Sequence, residues 1–450
     1  MMKVLFFANP FYKKLFEDFS SSKVIPIYVT LEERIYNDLL KKGVNVVGCF
    51  EKEYDTIAGI RDIEPEYLVS SFSSDRYLNR FCYEKRLEIL GKEIAFWRNI
   101  IEEYRPDFIV NETITLEFTE VLEIEARRCG IHYYSFLSGF LPYTFYWKDN
   151  GYNSLFDSQN TAISQADITN AKDYISKIRE ESLKPYYVRN LRKYSHIRNA
   201  VQIFFSQIPH HIYYSLRQWL KRGFKYIDIT IETKQYLNRS IGLFFAKYDK
   251  LEWKDDIEYV FYPLHFEPEA TLSYFNNPHV DQTTAIETIA RALKINQVLI
   301  VKEHPQQLGA LQEKKFKLIK TRNVNIKYVS GVVSSEEIIR HTSLLITLTS
   351  TAGWEAYIRK VPVIVLGDVF YKNFEGVVNA NLCELKTILR GNSIPVASDD
   401  QILQSVAFMM SKMKEGAPFP YGGVSEEKRK NDFYKRIEEI AEAIKNHKQS

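Results

Sequence analysis

Two groups of polar residues follow apolar runs in the second half of the chain and have the types and positions of a phosphate-binding site. The first is His304-Pro305, which follows the apolar run 298–301. An imidazole at a strand end can donate a hydrogen bond to a phosphate oxygen while a neighbour orients its other nitrogen, and Pro305 begins the next element at its preset φ. A single histidine is more often structural, but the position after a buried strand favours a ligand contact.

The second group is Thr349, Ser350 and Thr351, followed by Gly353. These hydroxyls stand between a predicted strand and the N-terminus of a predicted helix, where free backbone N–H groups and the helix dipole favour an anion. Ordinary N-capping by Ser350 or Thr351 explains one hydroxyl but not three in succession. The group therefore favours phosphate binding.

The motifs of several enzyme classes are missing from the sequence. It contains no GxxxxGK[ST], no GxGxxG after the first apolar run, no HExxH and no GxSxG, so ATPase, dehydrogenase, zincin and serine-hydrolase interpretations lose their usual support. The four cysteines form no CxxC pair, which argues against a zinc ribbon or a disulfide framework and favours a reducing cytoplasm.

An alternation of strands and helices in the second half positions the two polar groups. This alternation predicts strands at 259–264, 297–302, 324–329, 344–348 and 361–366. Such units build a doubly wound parallel sheet whose ligands bind at the carboxyl ends of the strands. The pattern Ser334-Ser335-Glu336-Glu337 predicts a capping box at the start of one intervening helix.

The first half shows the same pattern more weakly. The apolar runs 4–8, 25–29 and 108–110 are continuous, which is typical of parallel strands buried on both faces, and the stretch 83–104 is helical in pattern. The fold class predicted for the chain is therefore α/β, with two Rossmann-like doubly wound halves. We expect domains at 1–250 and 251–424, a helical basic segment at about 166–250 within the first, and a C-terminal helix at 425–450.

Composition and charge indicate an ordinary soluble globular protein. The chain has 450 residues, 45% of them hydrophobic, and 60 Lys+Arg against 57 Asp+Glu, which fits neither a disordered chain nor a membrane span of ~20 apolar residues. The charge is uneven, however, because 184–225 carries nine Lys/Arg, no Asp or Glu and several aromatic residues. This segment is either a membrane-surface face or a solvated helical face, and the sequence leaves both open.

Four stretches taken together resemble the bacterial capsule polysaccharide biosynthesis glycosyltransferases. They are 259–271, 301–305, 349–356 and 362–371, and the resemblance covers roughly 258–375. The family includes transferases of Kdo and related 2-keto sugar acids, and its fold is GT-B, in which two Rossmann-like halves face a central cleft. The resemblance therefore implies a glycosyltransferase that moves such a sugar, Kdo or a nonulosonic acid, from a CMP-activated donor to a cell-surface glycan or glycolipid.

The resemblance also implies roles for individual residues. The residues that would hold the donor nucleotide are His304, Pro305, Thr349, Ser350, Thr351, Gly353 and Glu355. Glu355 would accept hydrogen bonds from ribose hydroxyls, and its alternative role is a salt bridge at the helix start. No cofactor or metal is expected, and no nucleic acid partner.

The catalytic carboxylate is expected in the first half, because a GT-B donor binds the second half. Glu112, just after a predicted strand, is the best-placed candidate for taking the acceptor proton or stabilising the reacting centre, and its alternative role is capping the next helix. His265 and Glu269, after the first strand of the second half, are the further catalytic candidates.

Three other functions stay open at this point. They are a CDP-glycerol-type phosphotransferase, a UDP-sugar transferase or epimerase of the same fold, and a non-catalytic nucleotide- or glycan-binding assembly protein. The expected location is the cytoplasm, with a peripheral position at the inner membrane face if the basic segment contacts anionic lipid.

Overall fold

The computed structural model divides the chain into two compact units. Unit 1 contains Met1–Asn160, Lys221–Asp228 and Lys412–Ser450, and unit 2 contains Thr161–Leu220 and Ile229–Ser411. The structure describes residues 1–10, 12–149, 153–154, 162–180, 198, 201, 204–205, 208–220, 223–267, 274, 281–391, 393–419 and 423–449.

The described elements alternate between strands and helices in both units. In chain order the strands are β1 (Met2–Phe7), β2 (Val24–Thr30), β3 (Val46–Cys49), β4 (Phe108–Glu112), β5 (His132–Ser138), β6 (Thr144–Asp149), β7 (Asn153–Ser154), β8 (Glu258–Pro263), β9 (Gln297–Lys302), β10 (Ile326–Val329), β11 (Thr342–Thr347), β12 (Val363–Val365), β13 (Val377–Asn379) and β14 (Lys414–Glu415). The helices are α1 (Lys13–Phe16), α2 (Glu33–Leu40), α3 (Phe50–Glu53), α4 (Val69–Ser74), α5 (Tyr83–Tyr104), α6 (Glu117–Arg128), α7 (Gln165–Arg179), α8 (Ile208–Trp219), α9 (Ile229–Phe244), α10 (Gln282–Ala292), α11 (Lys314–Arg322), α12 (Ser335–Arg340), α13 (Thr351–Ile358), α14 (Leu385–Arg390), α15 (Asp399–Lys412) and α16 (Glu426–Gln449).

The sheet of unit 1 has the order β14-β6-β5-β4-β1-β2-β3, and β7 pairs with β6. Strands β1 to β5 pair in parallel, whereas β6, β7 and β14 extend the sheet in antiparallel fashion. The apolar residues of β1 from Val4 to Phe7 are buried, because a strand in a parallel sheet is covered on both faces. The chain winds to one side from β1 to β3 and to the other from β4 onward, so β1 and β4 flank the point where the winding reverses.

The sheet of unit 2 has the order β10-β9-β8-β11-β12-β13 and is parallel throughout. This is the strand order 3-2-1-4-5-6 of a Rossmann fold, with β8 as the first strand and its reversal between β8 and β11. Its core combines Val260, Tyr262, Leu299 and Ile346 from the strands with Ile286 and Ile289 from α10. The predicted α/β fold with two Rossmann-like halves is confirmed.

The unit boundaries differ from the predicted domains at the C-terminal helix. Helix α16 begins at Glu426, close to the predicted start, but belongs to unit 1. Its residues Phe433, Ile437 and Ala441 lie in the same buried cluster as Phe6 and Phe16. The apolar face of the helix therefore completes the core of the first half, which its local periodicity alone does not reveal.

The helical segment predicted within the first domain also differs. Most of it belongs to unit 2. Trp354 Nε1 donates to Tyr174 Oη on α7 at 3.3 Å, and Arg179 Nη2 contacts Asp399 Oδ1 at 2.8 Å. These contacts attach α7 to the second sheet's layer of helices. Of the basic stretch 184–225, the structure describes residues 198, 201, 204–205, 208–220 and 223–225.

The start of α12 differs from the prediction. Ser334 occupies the N-cap position of α12, but its side chain makes no capping hydrogen bond, so the predicted capping box is wrong. Among the described residues, no helix has the length and apolar content needed to span a membrane.

A buried acidic cluster lies in unit 1 between α5 and α6. Arg86 pairs with Glu117, and Asp75 Oδ2 accepts from the Glu117 N–H at 3.0 Å and from the Tyr226 hydroxyl at 2.6 Å. Glu93 is fully buried, and neither of its carboxylate oxygens has a partner among the described residues. Burial, reinforced by the neighbouring acids, raises the pKa of Glu93 and of Glu117. The cluster therefore retains a proton at a pH where exposed carboxylates are ionised.

We predict that Glu93→Gln stabilises the protein at alkaline pH. The folded-state pKa of Glu93 lies above its unfolded value, so the folded state binds the extra proton, and stability falls as pH rises above the unfolded pKa of about 4.5. Glutamine has the same shape and needs no proton, so the variant's advantage should be small at pH 5 and grow towards pH 8. Thermal unfolding across this range measures it, with a shift of ~2–4 °C expected per kcal/mol. The control is Glu102→Gln, an exposed position on the same helix; an equal response of both variants would contradict the prediction.

Candidate functional site

The reversal point between β8 and β11 creates the candidate ligand site of unit 2. Connections leave these neighbouring strands in opposite directions, so the loops at their carboxyl ends diverge and leave a crevice. The loops that follow β8, β9 and β11 carry His265, His304 and Thr349 respectively. The sequence prediction that polar residues gather at this edge of one sheet is confirmed.

His265 links the two loops across the reversal point. The backbone N–H of Thr349 donates to His265 Nε2 at 3.0 Å, and His265 Nδ1 lies 3.3 Å from Gln282 Oε1. Because Nε2 accepts, the ring proton is on Nδ1, which donates to Gln282. Burial lowers the pKa of His265 to about 4. Both ring nitrogens are therefore engaged and the ring is neutral, which suits a positioning residue better than the catalytic role predicted for it.

Gln282, which the sequence analysis did not single out, organises the loop after β8. Its Oε1 accepts from the His265 N–H at 2.7 Å, and its Nε2 donates to Glu267 Oε1 at 2.7 Å. Glu267 also contacts Lys315 Nζ at 2.9 Å. Asp281 caps α10 by accepting from the N–H groups of Thr283 and Thr284. This cap indicates in sequence where the helix begins, but not that the next residue, Gln282, is buried. The other predicted candidate on this loop, Glu269, lies outside the described residues.

His304 presents a hydrogen-bond donor at the end of β9. Its Nδ1 accepts from the N–H of Gln306 at 3.2 Å, so the proton of the neutral ring is on Nε2. Nε2 has no hydrogen-bond partner among the described residues. Burial, aided by the positive charge of Lys302, lowers the pKa of His304 to about 4. The half-buried pair His304-Pro305 thus has the geometry expected of a neutral donor whose other nitrogen is held by a neighbour.

Lys302, the last residue of β9, adds a buried cation that sequence reasoning missed. Its ammonium makes one hydrogen bond among the described residues, to the backbone oxygen of Glu303 at 3.3 Å. Burial lowers its pKa to about 8, against the attraction of Glu303 and Glu355. Glu303 is occupied elsewhere, because its carboxylate accepts from the N–H groups of Gly309 and Leu311. A lysine that ends an apolar strand looks like a solvent-exposed boundary in sequence, which is why it gave no signal.

The three hydroxyl-bearing residues 349–351 have different roles. Ser350 is the N-cap of α13, and its Oγ accepts from the Ala352 N–H at 3.2 Å, so the N-capping interpretation holds for this residue. Thr349 Oγ1 is buried without a partner in the described part of the chain. Thr351 is the exposed first residue of the helix. A buried, unpartnered hydroxyl beside a helix N-terminus is suited to a ligand oxygen.

Gly353 is explained by packing. A Cβ at this position would lie 2.1 Å from the hydroxyl oxygen of Tyr371, which donates to the backbone oxygen of Ser350. The glycine therefore lets Tyr371 hold the loop before α13. Its predicted contact with the nucleotide stays a prediction.

Glu355, one turn into α13, is a half-buried carboxylate with no hydrogen bond or salt bridge among the described residues. Burial raises its pKa to about 7, and the charges of Arg359 and Lys302 oppose the rise. Arg359 pairs with Glu336 instead, at 2.7 Å. The alternative role as a helix-start salt bridge is therefore not observed, and the carboxylate is available to accept from ligand hydroxyls.

Glu112 occupies the equivalent place in unit 1, at the reversal point between β1 and β4. Asn9 Nδ2, from the loop after β1, donates to Glu112 Oε1 at 2.5 Å, and Thr115 Oγ1 lies 3.4 Å from the same oxygen. Burial raises the pKa of Glu112 to about 7, against hydrogen bonds from Tyr12, Thr115 and Asn9. The backbone N–H groups of Thr115 and Leu116, just before α6, donate to Thr119 Oγ1. Glu112 therefore does not cap that helix.

The two sites have different chemical capacities. The unit 2 site offers donors and a cation for a phosphate, from His304, Thr349, α13 and Lys302, and an acceptor from Glu355. The site in unit 1 offers a carboxylate that can gain or lose a proton near neutral pH. No cluster of three His, Cys, Asp or Glu side chains in the described part of the chain is arranged to hold a metal ion.

Comparison with known protein families gives one match. The family described as capsule polysaccharide biosynthesis protein matches residues 120–399, which is more than half of the chain and includes the whole unit 2 site. No curated protein matches this chain in sequence.

Several solved structures are similar at low sequence identity. A β-Kdo 2,4 transferase, KpsC of Thermosulfurimonas dismutans, shares 12% identity over 70% of this chain and 82% of its own, with a TM-score of 0.40. A β-Kdo 2,7 transferase of the same organism shares 15% identity over 73% and 88%, with a TM-score of 0.34. S. aureus MnaA in a structure with UDP shares 13% identity over 94% and 93%, with a TM-score of 0.28. These scores are too low for any residue of this chain to be assigned from them.

We predict that His265 acts through the Thr349 loop and not on substrate. In His265→Leu the N–H of Thr349 loses its partner, while Gln282 Oε1 keeps the backbone N–H of residue 265 and loses only the ring contact. The unpartnered N–H costs about 1–3 kcal/mol in the free energy of unfolding. His265→Gln retains an acceptor and should lose less. Urea unfolding of both variants measures the difference. Wild-type stability in His265→Leu, accompanied by loss of turnover, would instead make His265 a catalytic residue.

Proposed function

This chain belongs to the family of capsule polysaccharide biosynthesis proteins, and from that premise we propose that it is a glycosyltransferase. Its proposed reaction moves a 2-keto sugar acid, Kdo or a nonulosonic acid, from a CMP-activated donor to a cell-surface glycan or glycolipid. The proposed nucleotide site is in unit 2. Glu112 is the proposed catalytic carboxylate.

The observation that carries the proposal is the set of unpartnered polar groups at the reversal point of unit 2. Thr349 Oγ1 is buried without a hydrogen-bond partner among the described residues, and the buried Lys302 ammonium makes one long contact. Buried polar groups are normally satisfied. His304 Nε2–H, on a half-buried ring, adds a donor that no described residue engages. The three groups can all donate, so the missing partner is rich in acceptors and negative charge, as a phosphate is.

Glu355 supplies the opposite function in the same site. A carboxylate without an internal partner accepts well from hydroxyl groups, and a ribose presents two of them next to its phosphate. Lys302 and Glu355 attract each other through their charges but form no salt bridge in the structure. A ligand that carries both an anionic and a hydroxyl-bearing part would satisfy both.

The catalytic proposal for Glu112 follows from its pKa of about 7. A general base is most effective when its pKa lies near the working pH, because it is then both available in the ionised form and basic enough to take a proton. Asn9 and Thr115 fix its orientation. We expect turnover to rise with pH towards a plateau above this pKa if the ionised form is the active one.

The proposed acceptor also implies a position at the inner membrane face. The unbalanced basic charge of 184–225 supports it, because each Lys/Arg near an anionic surface contributes about 1 kcal/mol, and this attraction weakens with salt. This part of the proposal is separate from the nucleotide chemistry.

We predict that His304→Ala weakens CMP binding about tenfold or more, because a hydrogen bond to a charged phosphate is worth roughly 1.5–3 kcal/mol. Any change of wild-type affinity with pH between 5.5 and 8 should persist in His304→Ala, since the pKa of His304 is about 4. Isothermal titration calorimetry of both proteins across this range measures both effects. The control is His341→Ala, an exposed histidine of unit 2 that precedes β11 at the amino end of the sheet.

Thermal stabilisation by candidate donors distinguishes the donor classes. The candidates are CMP-Kdo, a CMP-nonulosonic acid, a UDP-sugar and CDP-glycerol, and a ligand at 100 times its Kd adds about 2.7 kcal/mol to the stability. Stabilisation by CDP-glycerol or a UDP-sugar alone would replace the proposed donor. Binding without CMP release in the presence of any acceptor preparation would favour a non-catalytic assembly protein. Unchanged CMP affinity in His304→Ala would remove the site assignment.

We predict that Glu112→Gln lowers kcat by ~10²–10⁴ and leaves donor affinity nearly unchanged, the usual effect of removing a positioned acid or base. The glutamine can still accept from Asn9, so folding should be largely preserved. Steady-state kinetics and melting temperature are measured on the same protein. A lower melting temperature with near wild-type kcat would make Glu112 a structural link between β1 and β4 and would transfer the catalytic proposal to Glu269.

A further inference from the structure

Helices α8 and α9 of unit 2 form an antiparallel pair whose contacts are unusually polar. Ser215 Oγ and Thr233 Oγ1 are 3.0 Å apart, and the rings of His211 and Tyr236 are 4.6 Å apart. The Ile229 N–H donates to Gln218 Oε1 at 3.1 Å. The residues of α8 that contact α9, at positions 211, 215 and 218, thus follow helical spacing on one polar face.

The neighbouring face of α8 is apolar and exposed. We call it the α8 apolar face, and its residues are Ile212, Tyr213, Leu216, Trp219 and Leu220. The spacing of 212, 216 and 219 or 220 places them along one stripe of the helix. Trp219 is 80% exposed and Leu216 is 58% exposed. Helix α9 likewise exposes apolar residues at helical spacing, Leu237, Ile241 and Phe244.

This arrangement is the reverse of a water-exposed helix pair, which buries its apolar stripe and exposes its polar one. A contiguous exposed apolar surface is typical of a site that a membrane or another protein covers. At 12 residues, α8 is far shorter than the ~20 needed to cross a bilayer. A helix of this length with an apolar face can instead lie in the plane of the membrane interface.

Charge decides which partner fits this surface. Arg217, Lys221 and Arg222 flank Trp219-Leu220 directly in sequence, within a stretch of nine cations and no acid. Two copies of so basic a segment would repel each other, which disfavours self-association through this face. An anionic bilayer attracts the cations and accepts the apolar side chains, and tryptophan and tyrosine favour the boundary between headgroups and acyl chains.

We propose that the α8 apolar face inserts into the interfacial region of an anionic lipid bilayer. This deepens the peripheral membrane position proposed above and rests on it, but it does not depend on the identity of the sugar donor. The basic residues supply the attraction towards the surface, and Leu216 and Trp219 supply the apolar contact that keeps the helix there.

The test is sedimentation of the full-length protein with vesicles of phosphatidylcholine, with and without phosphatidylglycerol. The variant Leu216→Ser/Trp219→Ser should lose tenfold or more in its partition coefficient on the anionic vesicles, since each tenfold corresponds to about 1.4 kcal/mol and burial of one large apolar side chain contributes about 1.5–3 kcal/mol. The matched control is Ile295→Ser/Val324→Ser, which removes two isolated, fully exposed apolar residues from unit 2. It should bind like the wild type. CMP affinity equal to that of the wild type in both variants shows that unit 2 remains folded.

Fluorescence tests insertion directly. Of the other four tryptophans, Trp97, Trp147 and Trp354 are buried, and the half-buried Trp253 is stacked on the ring of His341. A blue shift on addition of anionic vesicles is therefore expected to come from Trp219 and to disappear in Trp219→Phe, whereas a shift from Trp253 would remain in that variant. Equal vesicle binding by the wild type and Leu216→Ser/Trp219→Ser would overturn the inference while leaving an electrostatic membrane position in place, and it is also the result expected if a protein covers this face. Absence of wild-type binding to either vesicle would overturn both, and neither result bears on the nucleotide site.

Discussion

Each sheet reverses its winding at one pair of neighbouring strands, and beyond the carboxyl ends of these strands a side-chain hydrogen bond joins the two chain segments. In unit 1 the bond joins Asn9 to Glu112, and in unit 2 it joins His265 to the Thr349 N–H. Elsewhere along a parallel sheet the backbone ladder holds adjacent strands in register, but beyond their carboxyl ends it stops. The polar groups in these loops are therefore positioned by side-chain hydrogen bonds. The candidate functional residues either make these hydrogen bonds or lie on the loops that they hold.

Burial at these edges changes the protonation of the groups that lie there. It lowers the pKa of His265 and His304 to about 4 and that of Lys302 to about 8, and it raises the pKa of Glu112 and Glu355 to about 7. The same cause, poor solvation of the charged form, acts in opposite directions on bases and acids. His304 therefore keeps one protonation state across neutral pH, whereas the carboxylates of Glu112 and Glu355 change theirs.

The sequence predicted the parts of this arrangement that depend on local pattern. Continuous apolar runs located β8, β9 and β11 to within two residues, and the polar residues that follow them could be named because parallel strands end at a common edge. The sequence did not predict Gln282, Lys302 or Asn9, because their roles depend on which loops meet in space. The C-terminal helix α16 was located but set apart from both halves for the same reason, since periodicity gives the apolar face of a helix and not the core that receives it.

The groups that bridge the two reversal points also differ in their protonation. The bridging group of unit 2 is an imidazole that stays neutral and has both nitrogens engaged, so it can hold a loop but cannot exchange protons with a substrate near neutral pH. The bridging group of unit 1 is the Glu112 carboxylate, whose pKa of about 7 lets it gain or lose a proton near neutral pH. Asn9 and Thr115 hold its orientation in the ionised and in the protonated form. The bridge of unit 2 lies beside donors that suit a phosphate, and the bridge of unit 1 is a carboxylate that can exchange a proton. Both occupy the same structural position in their sheets, and this difference supports the proposals that the nucleotide binds unit 2 and that Glu112 is the catalytic carboxylate.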